Sequence, residues 1–230
     1  MTLPLPMVLA SGNPDKAREI VEVLVARIDA PLVAWAVTFG DETFGFVLDA
    51  PDRIAGAVEH VTLAAAPDVE ETGATLEANA RIKARALARA LGMPAVSDDT
   101  GLEVRALGGA PGVRSARYAG PGATYADNVD KLLRELADST DRVARFVTVA
   151  MACWPDGREV VATGAVDGWI TTAPRGGGGF GYDPVFEPDE AGGRTFAEMA
   201  QAEKHALSHR GRAFRALADA LVGTTPRETG

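Results

Sequence analysis

Residues 97–104 read SDDTGLEV, which sets the carboxylates of Asp98 and Asp99 side by side. Apolar chain flanks them on both sides. Half-burying a carboxylate is costly unless a cation compensates it. The pair therefore sits in a solvated turn, or something positive belongs beside it. Two lysines elsewhere in the chain carry signals of their own. Lys83 falls on the apolar stripe (Leu76, Ala80, Leu87, Ala90) of a helix predicted over Leu76–Leu91, with Asn79 one turn earlier on the same face. In one reading its ammonium snorkels from the margin of the stripe. In the other it is held over a polar site at the rim of the core. Lys16 stands in the first turn of a helix that opens after Ser11-Gly12-Asn13. Strand, short polar turn and helix start suit an anion, through backbone N–H groups and the helix dipole. Asn and Gly also fill such turns for geometry alone, and no GxxxxGK[ST] loop is present.

Further chemistry lies on either side. Glu70 and Glu71 precede the Lys83 helix, where acids favour the dipole and are ordinarily solvated. With the aspartate pair they put carboxylates at both ends of one helix–turn unit. Hard oxygen donors, few histidines and nearby lysines point to Mg²⁺ shared with a phosphate ligand rather than to zinc. Residues 176–186, GGGGFGYDPVF, give up folding entropy for backbone freedom, which suits a loop that moves or approaches a ligand closely. Phe180 and Tyr182 offer flat faces on which a base stacks for about 1–3 kcal/mol; a plain loop with an aromatic anchor is the simpler account. Lys204, Ser208, His209 and Arg210 cluster at the start of the last helix, where a solvated charged end is the simpler account.

The elements that position these residues are readable from periodicity and caps. Leu5–Ala10 reads as a buried strand, and Asn13 as the cap of a helix with Pro14 first and Ala17, Ile20, Val21, Leu24, Val25 and Ile28 on its apolar face. Leu32–Val37 and Thr43–Leu48 are strand-like, as is Leu102–Leu107 after the aspartates. Thr124–Ala137 is a helix. Ala144–Trp154 and Glu159–Thr171 are strands around the turn Pro155-Asp156-Gly157. Thr195-Phe196-Ala197-Glu198 is a capping-box sequence, and Ser208 caps a final helix with Ala213, Phe214, Leu217 and Leu221 on its stripe, ended by Gly223. Strands alternate with helices throughout, which predicts an α/β fold with one mixed sheet; the tail 224–230 reads as frayed.

At 230 residues, with 47% apolar and 24% charged residues, the chain is long enough for one sizeable core and is neither disordered nor fibrous. A net charge of −9 argues against general attraction to nucleic acid or an acidic membrane, so an anionic ligand needs local lysines and arginines. One cysteine, Cys153, permits no intrachain disulfide and no cysteine-built zinc site. The start lacks a basic n-region and no apolar run is long enough for a bilayer, so a cytoplasmic protein is expected. A Ser–His hydrolase is not supported, since Ser208 and His209 are chain neighbours and no GxSxG elbow exists.

Six stretches then occur in order: SGNPDKAREI, EETGATLEANARIKARA, SDDTGLEV, LGGAPGVRSARYAG, GGGGFGYDPVF and EKHALSHRGRA. On these the chain resembles the noncanonical purine nucleoside triphosphate pyrophosphatases of the inosine/xanthosine triphosphatase type, over about residues 7–222. The resemblance implies a two-lobed α/β fold around a long central mixed sheet flanked by helices, with the site in the cleft between the lobes. It implies a single pyrophosphatase domain over 1–223, a homodimer, dependence on Mg²⁺, and cleavage of ITP, dITP and XTP to the monophosphate and pyrophosphate. It assigns Ser11, Gly12, Asn13 and Lys16 to the phosphates, and Lys83 and Asp99 to catalysis. Glu71 and Asp99 would hold the metal. Thr100, Phe180, Gly181, Tyr182, Asp183, Lys204, His209 and Arg210 would frame the base. Two departures stand out. The segment 32–68 is longer than the family pattern, which leaves Glu70 and Glu71 both open as the ligand. His205 stands where an asparagine is common.

Overall fold

The computed structural model describes residues 7–11, 13–25, 32–39, 42–48, 69–92 and 94–223. Leu5, Gly12, Ile28, the second half of the long segment (49–68) and the tail 224–230 lie outside the described residues.

Strand β1 (Met7–Ala10) is parallel to β2 (Leu32–Phe39), and β2 turns back as antiparallel β3 (Glu42–Leu48). The two strand-like pieces of the long segment are thus a hairpin on the sheet. On its other side β1 is parallel to β4 (Ala95–Val104), with Leu9 opposite Val96 and Ala10 opposite Ser97. The remaining strands are β5 (Pro111–Gly112), β6 (Val143–Cys153), β7 (Glu159–Ile170) and β8 (Phe186–Pro188). Their hydrogen-bonded order is β3-β2-β1-β4-β6-β7-β8, with β5 on β4. Parallel and antiparallel pairs share the sheet, as expected of a mixed α/β fold.

The helices are α1 (Pro14–Val25), α2 (Leu76–Leu91), α3 (Tyr125–Glu135), α4 (Gln201–Leu207) and α5 (His209–Gly223). Local capping explains their ends. The Thr75 hydroxyl accepts from the Ala78 N–H, and Gly92 closes α2 in the left-handed conformation (φ 63°). Thr124 and Asp127 form a capping box at α3, and Thr195 and Glu198 form another on the 3₁₀ turn Phe196–Glu198. The Ser208 hydroxyl accepts from the Gly211 N–H at the start of α5.

The chain folds as two compact units, each with its own core. The first comprises the described residues among 1–99, 149–163 and 213–230. Its core joins Leu9, Ile20 and Leu24 to Val96, Ala150, Phe214, Leu217 and Leu221. The second comprises 100–148 and 164–212, with a core of Leu102, Leu132, Phe146, Val166, Ile170, Phe186 and Phe196. Strands β4, β6 and β7 each contribute residues to both units.

Two local expectations are corrected, and one open alternative is closed. The strand after the aspartates ends at Val104, and Arg105–Leu107 is a 3₁₀ turn. Asp98 and Asp99 lie within β4, not in a solvated turn: the strand starts at Ala95, and both residues are buried. Ala90 is exposed, because the buried face of α2 runs through Leu76, Asn79, Ala80, Ala84, Leu87 and Ala88 and leaves Ala90 outside it.

Candidate active site

The first unit gathers charge around the aspartate pair. Neighbouring residues of a strand point to opposite faces, yet Asp98 and Asp99 both bear on the same two lysines. The Lys16 ammonium, brought by the first turn of α1, lies 3.5 Å from Asp98 Oδ2. The Lys83 ammonium lies 2.8 Å from Glu71 Oε1 and 3.9 Å from Asp99 Oδ1. The cation demanded by the acid pair is thus supplied first by the protein itself. Lys83 turns inward to these acids, with a side chain 17% exposed, rather than snorkelling outward. Glu71 is half-buried against Lys83, whereas Glu70 is exposed.

Buried Asn79 organises this cluster. Its Nδ2 donates to Asp99 Oδ2 (3.1 Å), and its Oδ1 accepts from the Gly73 N–H (2.7 Å), two residues beyond Glu71. Gly73 has to be glycine: a Cβ there would stand 2.5 Å from Asn79 Oδ1. Ser97 is tied to the same helix, its hydroxyl donating to the Ala80 carbonyl (2.6 Å). Asn79 and Gly73 are site-forming residues outside the sequence assignment; their signal was Asn79 sharing a helix face with Lys83.

The electrostatics follow. Burial works against a charge on Lys83, but Asp98, Asp99 and Glu71 outweigh it and hold its pKa above the ordinary lysine value. Burial pushes Asp99 above the usual carboxylate range, assisted by Glu71 and opposed by Lys83, Lys16 and the Asn79 hydrogen bond. Three carboxylates face two ammonium groups, so the cluster retains a formal negative charge. At the turn before α1, Asn13 Oδ1 accepts from the N–H groups of Asp15 (3.0 Å) and Lys16 (3.2 Å), and Ser11 Oγ accepts from the Asn13 N–H (3.3 Å). Here Asn13 takes up amides that an anion would otherwise meet.

The second unit gathers Lys204, Asp183 and Arg210 around Phe180. The Lys204 ammonium stands 4.6 Å over the Phe180 ring and donates to Asp183 Oδ2 (2.6 Å), and both side chains are buried. The same Asp183 oxygen accepts from the Phe180 N–H (2.8 Å). Gly179 (φ 70°) passes so close that a Cβ would fall 2.2 Å from that oxygen. The glycine run was expected to move or to approach a ligand. Within the protein, Gly179 approaches Asp183, and Gly176 the backbone of Ala197.

Arg210 is 2% exposed; its guanidinium lies 5.3 Å over Phe180, and its Nη2 donates to Thr100 Oγ1 (3.3 Å). His209 is buried and stacks on Phe146, with ring centroids 4.3 Å apart. Tyr182 is buried too, its hydroxyl donating to the Ser115 carbonyl (2.9 Å), and burial raises its pKa. That side chain braces the loop from inside, while Phe180 is half-buried and reached by two cations. Phe146, an internal residue of β6, gave no sequence signal beyond its place in an apolar run.

The first unit thus holds a carboxylate–lysine centre, and the second ranges two cations over an aromatic ring. The chain is a member of the Ham1 family, whose model matches residues 7–220. It is 45% identical over 227 residues to a dITP/XTP pyrophosphatase of Thermus thermophilus, covering 97% of this chain and 96% of that one. It is 52% identical over 153 residues to the dITP/XTP pyrophosphatase of Streptomyces coelicolor, covering 66% and 76%. Among solved structures, a HAM1 protein from Coxiella burnetii is 37% identical with a TM-score of 0.75, covering 96% of this chain and 100% of that one.

Proposed function

We propose that this protein is a nucleoside triphosphate pyrophosphatase that hydrolyses noncanonical purine nucleotides, ITP, dITP and XTP, to the monophosphate and pyrophosphate. The observation that carries the reading is the convergence of Glu71 and Asp99 on the Lys83 ammonium, in a chain 45% identical to a dITP/XTP pyrophosphatase along almost its whole length.

The donor set suits Mg²⁺. Among the described residues there is no group of three or more His, Cys, Asp or Glu placed to hold a metal. Mg²⁺ is commonly held by one or two carboxylates, with water and substrate phosphates completing its shell. Glu71 and Asp99, already flanking a cation, would hold it. When bound, Mg²⁺ neutralises charge on the phosphates and polarises a phosphoryl oxygen.

The chain's own residues do the rest. Water attacks the α-phosphorus, Asp99 takes its proton, and pyrophosphate leaves as one unit. Lys16 and Lys83 stabilise the charge that builds on the leaving group. Ser11, Gly12 and Asn13 belong to the turn that meets the phosphates. Phe180 offers a face to the base, with Gly181, Tyr182 and Asp183 forming the loop beneath it. The 6-oxo group of hypoxanthine or xanthine accepts from donors such as His209 and Arg210, with Lys204 and Thr100 beside them. Adenine presents an amino donor at that position, and facing donors leave buried groups unsatisfied. Removal of deaminated purines from the nucleotide pool is the corresponding role. A homodimer and a cytoplasmic location belong to the same reading, the first open to light scattering.

The test is pyrophosphate release across a nucleotide panel, with Mg²⁺ and with EDTA. ITP, dITP and XTP should exceed ATP, GTP, UTP and dTTP, and EDTA should abolish turnover. Binding of ITP without pyrophosphate release would make the protein a nucleotide sensor. Faster turnover of dTTP or UTP would point to a pyrimidine-directed pyrophosphatase.

A further inference from the structure

We infer that Thr148 is a positioning residue for purine recognition, acting on Arg210 through the hydroxyl of Thr100. The inference rests on the proposed role of Arg210 at the base.

Thr148 is an internal residue of β6, wholly buried in an otherwise apolar strand end, VTVAMAC. Its Oγ1 lies 2.7 Å from Thr100 Oγ1 on the neighbouring strand β4. Thr100 Oγ1 in turn accepts from Arg210 Nη2 at 3.3 Å. A guanidinium only donates, so Thr100 must be the acceptor in that contact. The Thr100 hydroxyl can still exchange one hydrogen bond with Thr148, as donor or acceptor. Its rotamer is therefore fixed from behind by a residue that water does not reach. A β-branched threonine has few χ1 choices, so a bond that selects one also selects where its oxygen points. That oxygen holds one edge of a guanidinium whose flat face lies over Phe180.

The consequence is a division between packing and recognition. Valine would fill the place of Thr148, yet the chain carries a hydroxyl there, and a buried hydroxyl is expensive unless it is used. Its use is to keep Thr100 aimed at Arg210. Without it Thr100 loses one of the bonds that set its rotamer, and more of the ordering of Arg210 falls to the moment the base binds. That penalty falls on nucleotide affinity and base choice rather than on the phosphate chemistry, since the hydroxyl of Thr148 is engaged with Thr100 and through it with Arg210.

The experiment compares T148V, T148S and wild type in steady-state hydrolysis of ITP and ATP, alongside thermal melting. T148V should raise KM for ITP about three- to tenfold, the loss of one neutral hydrogen bond, with kcat within about twofold. The preference for ITP over ATP should narrow, and T148S should restore both. A T148V enzyme with wild-type KM and preference overturns the inference, as does one that loses only thermal stability. If valine is not tolerated, T148A read against T148S decides the same question. R210A separates the layers: unchanged KM for ITP in R210A removes the base-recognition reading itself, whereas a raised KM there with none in T148V removes only the role of Thr148.

Discussion

Asn79 and Asp99 are joined by a buried hydrogen bond, Nδ2 to Oδ2 at 3.1 Å, while the other end of the same amide holds the backbone of Gly73. One side chain thus fixes an acid of β4 and the loop that carries Glu71. Asn79→Ala removes a donor from Asp99 and the acceptor of a main-chain N–H. It should cost about 2–3 kcal/mol of stability in urea unfolding and lower turnover as well. A loss below about 0.5 kcal/mol would show that the amide holds nothing in place.

Asp99→Asn separates fold from chemistry. Because burial raises the Asp99 pKa, ionising it in the metal-free protein is a net cost at neutral pH. Neutral asparagine should therefore leave the melting temperature unchanged or higher. Turnover should fall about a thousandfold, roughly 4 kcal/mol of barrier. Near-normal ITP hydrolysis by this variant would remove Asp99 from the catalytic role.

Lys83→Met tests the charge cluster. The ammonium is flanked by Glu71 and Asp99, and loss of the positive partner should cost about 2 kcal/mol without metal. Added Mg²⁺ should recover part of that deficit while activity stays low. The sign with pH is fixed by the raised lysine pKa. Its stabilisation is fully present below the ordinary lysine value and is lost as pH rises through the raised one. A variant as stable as the parent at neutral pH would return Lys83 to the snorkelling reading.

Acid stability should report on Glu159. Its carboxylate in β7 receives Arg81 Nε at 3.0 Å, and the side chain of Arg85, both from α2. Burial opposes ionisation, but the two guanidiniums prevail and hold its pKa below the usual carboxylate range. Stability from such a group is present above the unfolded-state pKa and is lost as pH falls through the lower folded one. Glu159→Gln should therefore be less stable by about 1 kcal/mol at pH 7, and the gap should close in acid. A gap that persists unchanged in strong acid would show packing rather than charge to be the cause.

The glycine run predicts opposite results from neighbouring positions. A Cβ at Gly177 meets nothing within 4 Å, and Gly177→Ala should be neutral in both melting and KM. At Gly179, with φ 70° and Asp183 Oδ2 in the way, alanine should displace the loop that carries Phe180 and raise KM for ITP by about tenfold or more. Equal behaviour of the two variants would mean the loop adapts freely.

Helix α2 was legible to its end residues because its signals are local: Thr75 before it, Gly92 after it, and an apolar face between. The capping box at Thr195 was visible for the same reason, whereas at Thr124 only the start of a helix was read and the box came from the structure. The aspartate pair left its element open, since Ser-Asp-Asp-Thr-Gly has the composition of a turn. Its strand conformation comes from pairing with chain far away in sequence, such as Val8 opposite Ala95. Arg81 and Arg85 were readable as a polar face, but their partner Glu159 lies far onward in the chain, in β7. Asn79, Phe146 and Thr148 carried the weakest signals. Each sits in an ordinary helical or strand pattern, and only the contacts made in three dimensions distinguish it.

Cys153, the one cysteine of the chain, is fully buried in β6. Burial and the adjacent Glu159 push its thiol up to about 12, so it is protonated at any working pH. Maleimides and mild oxidants should pass it by. Any cysteine introduced on the surface would then be the sole labelling point, so that a fluorophore or spin label could be attached at a chosen position without first engineering the natural thiol away.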